Sequence, residues 1–181
     1  MEIAWKKLWA TNCPNKMKVV LWRMAHNCLP TGTQLQVRSI PTRYDCYFCN
    51  RMENVEHCFL QCRYVKEIWK DLKKEYGICL NLKNFSRIRQ WVLDWIYEAS
   101  EFHLMIFAIA MWHIWDNRNS CRNGEALPHP LHVFGKIKAY IDFILLNNVR
   151  SEDSNRRETL KSIKKWAPPP EGLMLINVDA A

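Results

Sequence analysis

The chain has 181 residues, 49% of them hydrophobic, with nine tryptophans, eight cysteines and a formal net charge of +8. That composition can bury a real core, as one ordinary domain or a small one with appendages, which excludes a purely solvated polypeptide. The positive balance points to an acidic partner, nucleic acid being the most economical one, although basic solvated faces are also common.

Trp5 and Trp9, four residues apart, read Ile3–Ala10 as a short helix docking on the core. Asn12-Cys13-Pro14-Asn15 breaks it, and a second helix follows from Lys16 to Cys28, with His26 at its surface or end. Leu29-Pro30-Thr31-Gly32 forms a turn in which Thr31 can cap a third helix through Val37. Lys6, Lys7, Lys16, Lys18, Arg23, Arg38 and Arg43 all fall between Ile3 and Tyr44, where no acidic residue occurs. Such a one-signed stretch can neutralise phosphates, and an ordinary lysine-rich solvated face is the competing reading. The same opening residues contain no unbroken apolar run, so no signal peptide is expected and an intracellular setting is, the nucleus included.

After Pro41 comes the most informative stretch, C-x2-C-x7-H-x4-C on Cys46, Cys49, His57 and Cys62. Zn²⁺ takes four soft or borderline ligands in a tetrahedron, and a two-residue gap lets one turn aim two thiolates at a single point. Scattered buried cysteines or a disulfide are the alternatives, weakened by the clustering, the histidine and the lack of a secretory signal. His57 and Cys62 are five apart and diverge on a regular helix, whereas Cys58 and Cys62 share a face. Either the helix loosens at His57 or Cys58 replaces it; the spacing favours His57. Cys13, Cys28, Cys79 and Cys121 show no matching pattern and read as reduced thiols.

Arg63–Tyr76 is expected as an amphipathic helix with the stripe Val65, Ile68, Trp69 and Leu72, stopped by Gly77. A polar break at 81–84 precedes a helix that Ser86 can cap, carrying Ile88, Trp91, Val92, Trp95 and Ile96. Phe102–Trp115 is very apolar but falls short of the roughly twenty residues that a bilayer span needs, so it reads as a core helix. Its Trp112 and Trp115 read as packing residues. A long helix is expected from about His129, with Phe134, Ile137, Ile141, Ile144 and Leu145 packing within the chain or on a protein partner. Beyond it, 151–165 reads as a frayed helix end or linker, the proline run after Trp166 as extended, and Leu173–Val178 as the start of a strand.

Trp5, Leu8-Trp9, Pro14-Asn15-Lys16, Leu21-Trp22-Arg23, Leu29-Pro30-Thr31, the Cys46/Cys49 pair, Glu56-His57-Cys58-Phe59, Cys62 and Trp69 form a specific string. It resembles the zinc-binding domain that follows the reverse transcriptase in plant non-LTR (LINE-type) retrotransposons. The resemblance implies Cys46, Cys49, His57 and Cys62 as zinc ligands and Cys58 as a bystander. Trp166-Ala-Pro-Pro-Pro-x-Gly172 with Asn177-Val178-Asp179 is similar to the entry into the RNase H-like domain of those elements. Asp179 matches the first acidic residue of that fold's metal site, but two-metal hydrolysis needs several carboxylates, so no catalytic activity is expected of this chain.

The expected organisation is mainly α: a zinc-binding domain at 1–76, a helical spacer at 77–160, and at 161–181 a linker with the truncated start of an RNase H-like domain. The expected function is a zinc-dependent nucleic-acid-binding module from a retroelement polyprotein, with Lys16, Lys18, Arg23, Arg38 and Arg43 meeting phosphates. A truncated part of an RNA–DNA hybrid ribonuclease and a helical protein-interaction scaffold, using the Phe134–Leu145 helix, are the alternatives.

Overall fold

Helix-forming stripes dominate this sequence, and the structure is built from them. A computed structural model of the chain describes residues 2–80 and 87–155, with side chains as far as 147. In order come α1 (Glu2–Ala10), α2 (Asn15–Ala25), α3 (Gly32–Val37), a π-helical turn (His57–Gln61), α4 (Arg63–Tyr76), α5 (Ile88–Glu98), α6 (Glu101–Arg122) and α7 (Pro130–Asn155). Among the described residues there is no sheet, only one isolated antiparallel bridge between Asp45 and Met52. The mainly α expectation holds. The break at 81–84, the Ser86 cap, the proline run and the C-terminal strand with Asp179 lie outside the described residues.

Local chemistry explains several boundaries. In α4 the buried residues are Val65, Ile68, Trp69 and Leu72, one face at helical spacing. The helix stops at Gly77, whose φ of 70° is left-handed and lets its N–H return to the Lys73 carbonyl. The Ser100 hydroxyl caps α6 by accepting the His103 N–H at 3.2 Å. Thr31 stands at the N-cap of α3, as expected, yet caps nothing. Its buried hydroxyl pairs instead with that of Thr33 at 3.3 Å.

α6 is the axis of the core, with every residue from Leu104 to Met111 buried. Phe107 on α6 meets Trp95 at 4.0 Å, and Trp69 and Trp91 each at 5.9 Å between ring centres, so α4 and α5 converge on it. α2 packs on α5 and α6, α1 on α5, and the π-turn on α4 and α6. No helix among the described residues is long and apolar enough to cross a membrane.

In α7 the buried seam is Val133, Ile137, Ile141 and Ile144, while Phe134 is half-buried and Leu145 exposed. The stripe expected from Phe134 to Leu145 is therefore rotated slightly and lies largely within the chain's own core. Lys138 on α7 pairs with Glu75 on α4, and Tyr140 meets His113 of α6 edge-on at 5.5 Å. Residues up to Leu146 form one compact unit, and a second begins at Asn147. The boundary expected at 76 coincides with the end of α4.

Candidate metal centre

The Cys46 turn is shaped by its backbone. Cys46 donates its N–H to the Arg51 carbonyl at 2.7 Å and accepts from the Asn50 N–H at 2.9 Å. Asn50 takes a left-handed φ of 60°, which asparagine tolerates better than most residues. The Asp45–Met52 bridge closes the loop, so Cys46 and Cys49 face the same side.

The second pair is delivered by the π-turn. Asn54 caps it, its side-chain oxygen accepting the His57 N–H at 2.7 Å. The helix then widens, and the Cys62 N–H reaches the His57 carbonyl at 3.0 Å, a five-residue step in place of four. That wider step puts His57 and Cys62 on one face. The helix loosens at His57, and Cys58, buried, is not among the four clustered side chains.

The ligand atoms of Cys46, Cys49, His57 and Cys62 all lie within 4.8 Å of one another. Among the described residues this is the one cluster of its kind. The Cys46 and Cys62 sulfurs are 3.8 Å apart, and the Cys49 sulfur is 3.1 Å from His57 Nε2. Cys46, His57 and Cys62 are buried and Cys49 is partly open. Cys46 and Cys62 share a hydrogen bond, which together with burial holds the Cys46 thiol far above the ordinary range. Cys62 is correspondingly lowered, first by that hydrogen bond, then by the backbone N–H groups of Tyr64 and Val65 at the start of α4. Burial lowers the His57 pKa, which keeps its imidazole neutral and its lone pair available. Burial raises the Cys58 thiol, so it stays protonated and inert. Three thiol groups and a neutral imidazole around one point form a donor set that can hold a soft-to-borderline metal ion.

Glu53 and Arg118 support the site and carry no signature in the sequence. Their side chains are 1% and 2% exposed and form an ion pair. Arg118 Nε donates to both Glu53 oxygens at 3.1 Å, and Nη2 also reaches the Pro30 carbonyl at 3.2 Å. Glu53 Oε1 accepts the Gly32 N–H at 2.9 Å. One buried carboxylate thus ties α3, α6 and the lead-in to the π-turn. Asn54 could have been found from its position three residues before a ligand; the Glu53–Arg118 pairing could not.

The basic residues expected to meet phosphates are dispersed. Lys18 is 6% exposed on the buried face of α2, and its ammonium donates to the Trp9 carbonyl at 2.8 Å. Lys16 lies 3.8 Å over the Trp112 ring and remains exposed. Arg23 and Arg38 are exposed on α2 and just after α3. Arg43 stands beside the metal loop, 4.6 Å over the Tyr47 ring and bonded to Asn50.

Residues 1–69 match the family model described as zinc-binding in reverse transcriptase. That stretch runs from α1 into α4 and contains all four residues of the cluster. No curated protein and no solved structure matches the chain.

Proposed function

We propose that this chain is a zinc-binding, nucleic-acid-binding module of the kind that accompanies a reverse transcriptase, derived from a non-LTR retroelement and without catalytic activity of its own. The observation that carries the reading is the Cys3His cluster, set inside the stretch that matches a reverse-transcriptase zinc-binding family. Zinc suits the chemistry of the donor set, and one of its spacings as well. Two thiolates at the usual zinc–sulfur length of about 2.3 Å stand about 3.8 Å apart at tetrahedral corners. The Cys46 and Cys62 sulfurs are separated by 3.8 Å. Four protein ligands leave no open position for substrate, which is the pattern of a structural rather than a catalytic ion. When bound, zinc would supply cross-linking of the Cys46 loop to the start of α4.

The nucleic-acid part rests on charge. The net balance is +8, and Lys16, Arg23, Arg38 and Arg43 are exposed. Neutralising phosphates with such groups releases counterions, so binding must weaken steeply as salt rises. The test is a gel shift across a salt series with protein of measured zinc content. Stoichiometric zinc with salt-sensitive binding supports the reading; metal-free protein, or binding indifferent to salt, refutes it. The scaffold reading has less support, because Ile137, Ile141 and Ile144 are already covered within the chain.

A further inference from the structure

We infer that the groove between the end of α2 and the start of α5 is where a single strand of nucleic acid lies, with a phosphate on Arg87 and Arg89 and a neighbouring base on Trp22. This rests on the nucleic-acid reading above and gives it a place. A cavity of about 420 Å³ opens there, lined by His26, Asn27, Gln34, Asn54, Arg87 and Arg89 among others. His26, Asn27, Asn54 and both arginines are exposed, so the cavity faces solvent. Two guanidinium groups supply the charge and the forked donors that phosphate oxygens match. The amides of Asn27, Gln34 and Asn54 supply donors and acceptors of the kind that meet sugar and base edges. Glu56 is the one carboxylate among the described residues that line the cavity.

The second component is a ladder of rings that begins at the cavity wall. His26 stacks on Trp22 at 4.3 Å and on Trp5 at 5.7 Å, both at 28° between planes. Its Nδ1 is 2.8 Å from the Trp22 carbonyl, which fixes the ring. Trp22 is 39% exposed, on the side of α2 away from its buried face. An aromatic face beside a cationic groove is the arrangement that holds unpaired bases, because every base has a stacking face and a duplex hides it. The groove also touches the metal centre: Asn54 lines the cavity and caps the turn that presents His57.

The test is fluorescence anisotropy of labelled oligothymidylate, oligouridylate and a short duplex, each titrated with the zinc-loaded full chain. Trp22→Ala should weaken both single strands about ten-fold, the size of one lost base stack, with a smaller effect on the duplex. Arg87→Ser with Arg89→Ser should flatten the salt slope by about 0.7 for each phosphate contact removed. Because both arginines are exposed, that variant tests the groove even where loss of Trp22 disturbs α2. If both variants keep wild-type affinity and slope while Arg43→Ala binds more weakly, the groove is the wrong place and nucleic-acid binding itself stands. If the wild-type chain binds none of the three probes, the parent reading fails and this one with it.

Discussion

Arg118 and Glu53 stand 65 positions apart and meet as an ion pair with side chains 2% and 1% exposed. Every polar atom around them is engaged: Gly32 and Pro30 supply backbone partners, Asn119 Oδ1 accepts from Nη1 at 2.9 Å, and the Trp115 ring lies 4.7 Å from the guanidinium carbon. A buried pair of this kind adds little over an apolar substitute, but removing one partner strands the other charge. Arg118→Leu or Glu53→Leu should therefore each cost about 3–5 kcal/mol, read as a lower urea midpoint at neutral pH. A loss under 1 kcal/mol for both would mean that water reaches the pair.

The ligand set predicts a sharp contrast between neighbours. Cys46→Ser, Cys49→Ser, His57→Ala and Cys62→Ser should each bring metal content below stoichiometric. Cys58→Ala should leave it unchanged, because that sulfur is not among the clustered ligand atoms. Elemental analysis of protein purified without chelators decides this, and metal loss on Cys58→Ala alone would reverse the assignment.

Metal removal should loosen the loop from Arg43 to Cys62 first. Structural zinc can contribute on the order of 10 kcal/mol to a small fold, and here it bridges a loop with little secondary structure of its own. Amide exchange before and after chelation should show lost protection there, ahead of α5 and α6. Unchanged exchange and an unchanged thermal midpoint would count against a structural ion.

Gly32 is needed for space. A Cβ built on it would lie 1.8 Å from the Tyr44 carbonyl oxygen, a backbone atom that cannot step aside alone. Tyr44 in turn accepts the Glu53 N–H at 3.4 Å, just before the Cys46 turn. Gly32→Ala should cost about 1–3 kcal/mol, as overpacking does, and weaken metal binding in competition with a chromogenic chelator. An unaltered thermal midpoint would show that α3 and the loop can separate freely.

His113 makes stability pH-dependent. Its Nε2 is buried with no hydrogen-bond partner among the described residues. Burial, helped by Lys16 and Lys136, lowers its pKa to about 4. The unfolded chain takes up that proton near pH 6.5, so the folded state is favoured fully above that value and progressively less as pH falls toward 4. His113→Phe should lessen the drop in urea midpoint between pH 7 and pH 5, compared in excess zinc. Parallel slopes for the two proteins would refute it.

Much of the helical body was legible. The stripe of α4 was readable because Val65, Ile68, Trp69 and Leu72 recur at helical spacing, and Gly77 could only be a stop. The cluster of Cys46, Cys49, His57 and Cys62 was readable up to one choice, since a five-residue step fits no regular helix; the π-turn that brings His57 beside Cys49 and Cys62 beside Cys46 has no sequence signature. The placement of Lys18 was not readable, because a count of charges ignores which face they occupy. Lys18 shares the buried side of α2 with Leu21 and Ala25, three and seven residues on. Glu53 and Arg118 were invisible for a different reason: a pairing between distant charged residues leaves no period to read.

The ten residues from Glu53 to Cys62 are gripped at one end by α6 and at the other by the ligand cluster. Whatever undocks α6 must therefore slacken the grip on the ion, and by linkage the ion favours the docked helix in equal measure. Cobalt substituted at the four ligands would turn that reciprocity into a colour, a gauge of distant helix assembly read from the visible spectrum.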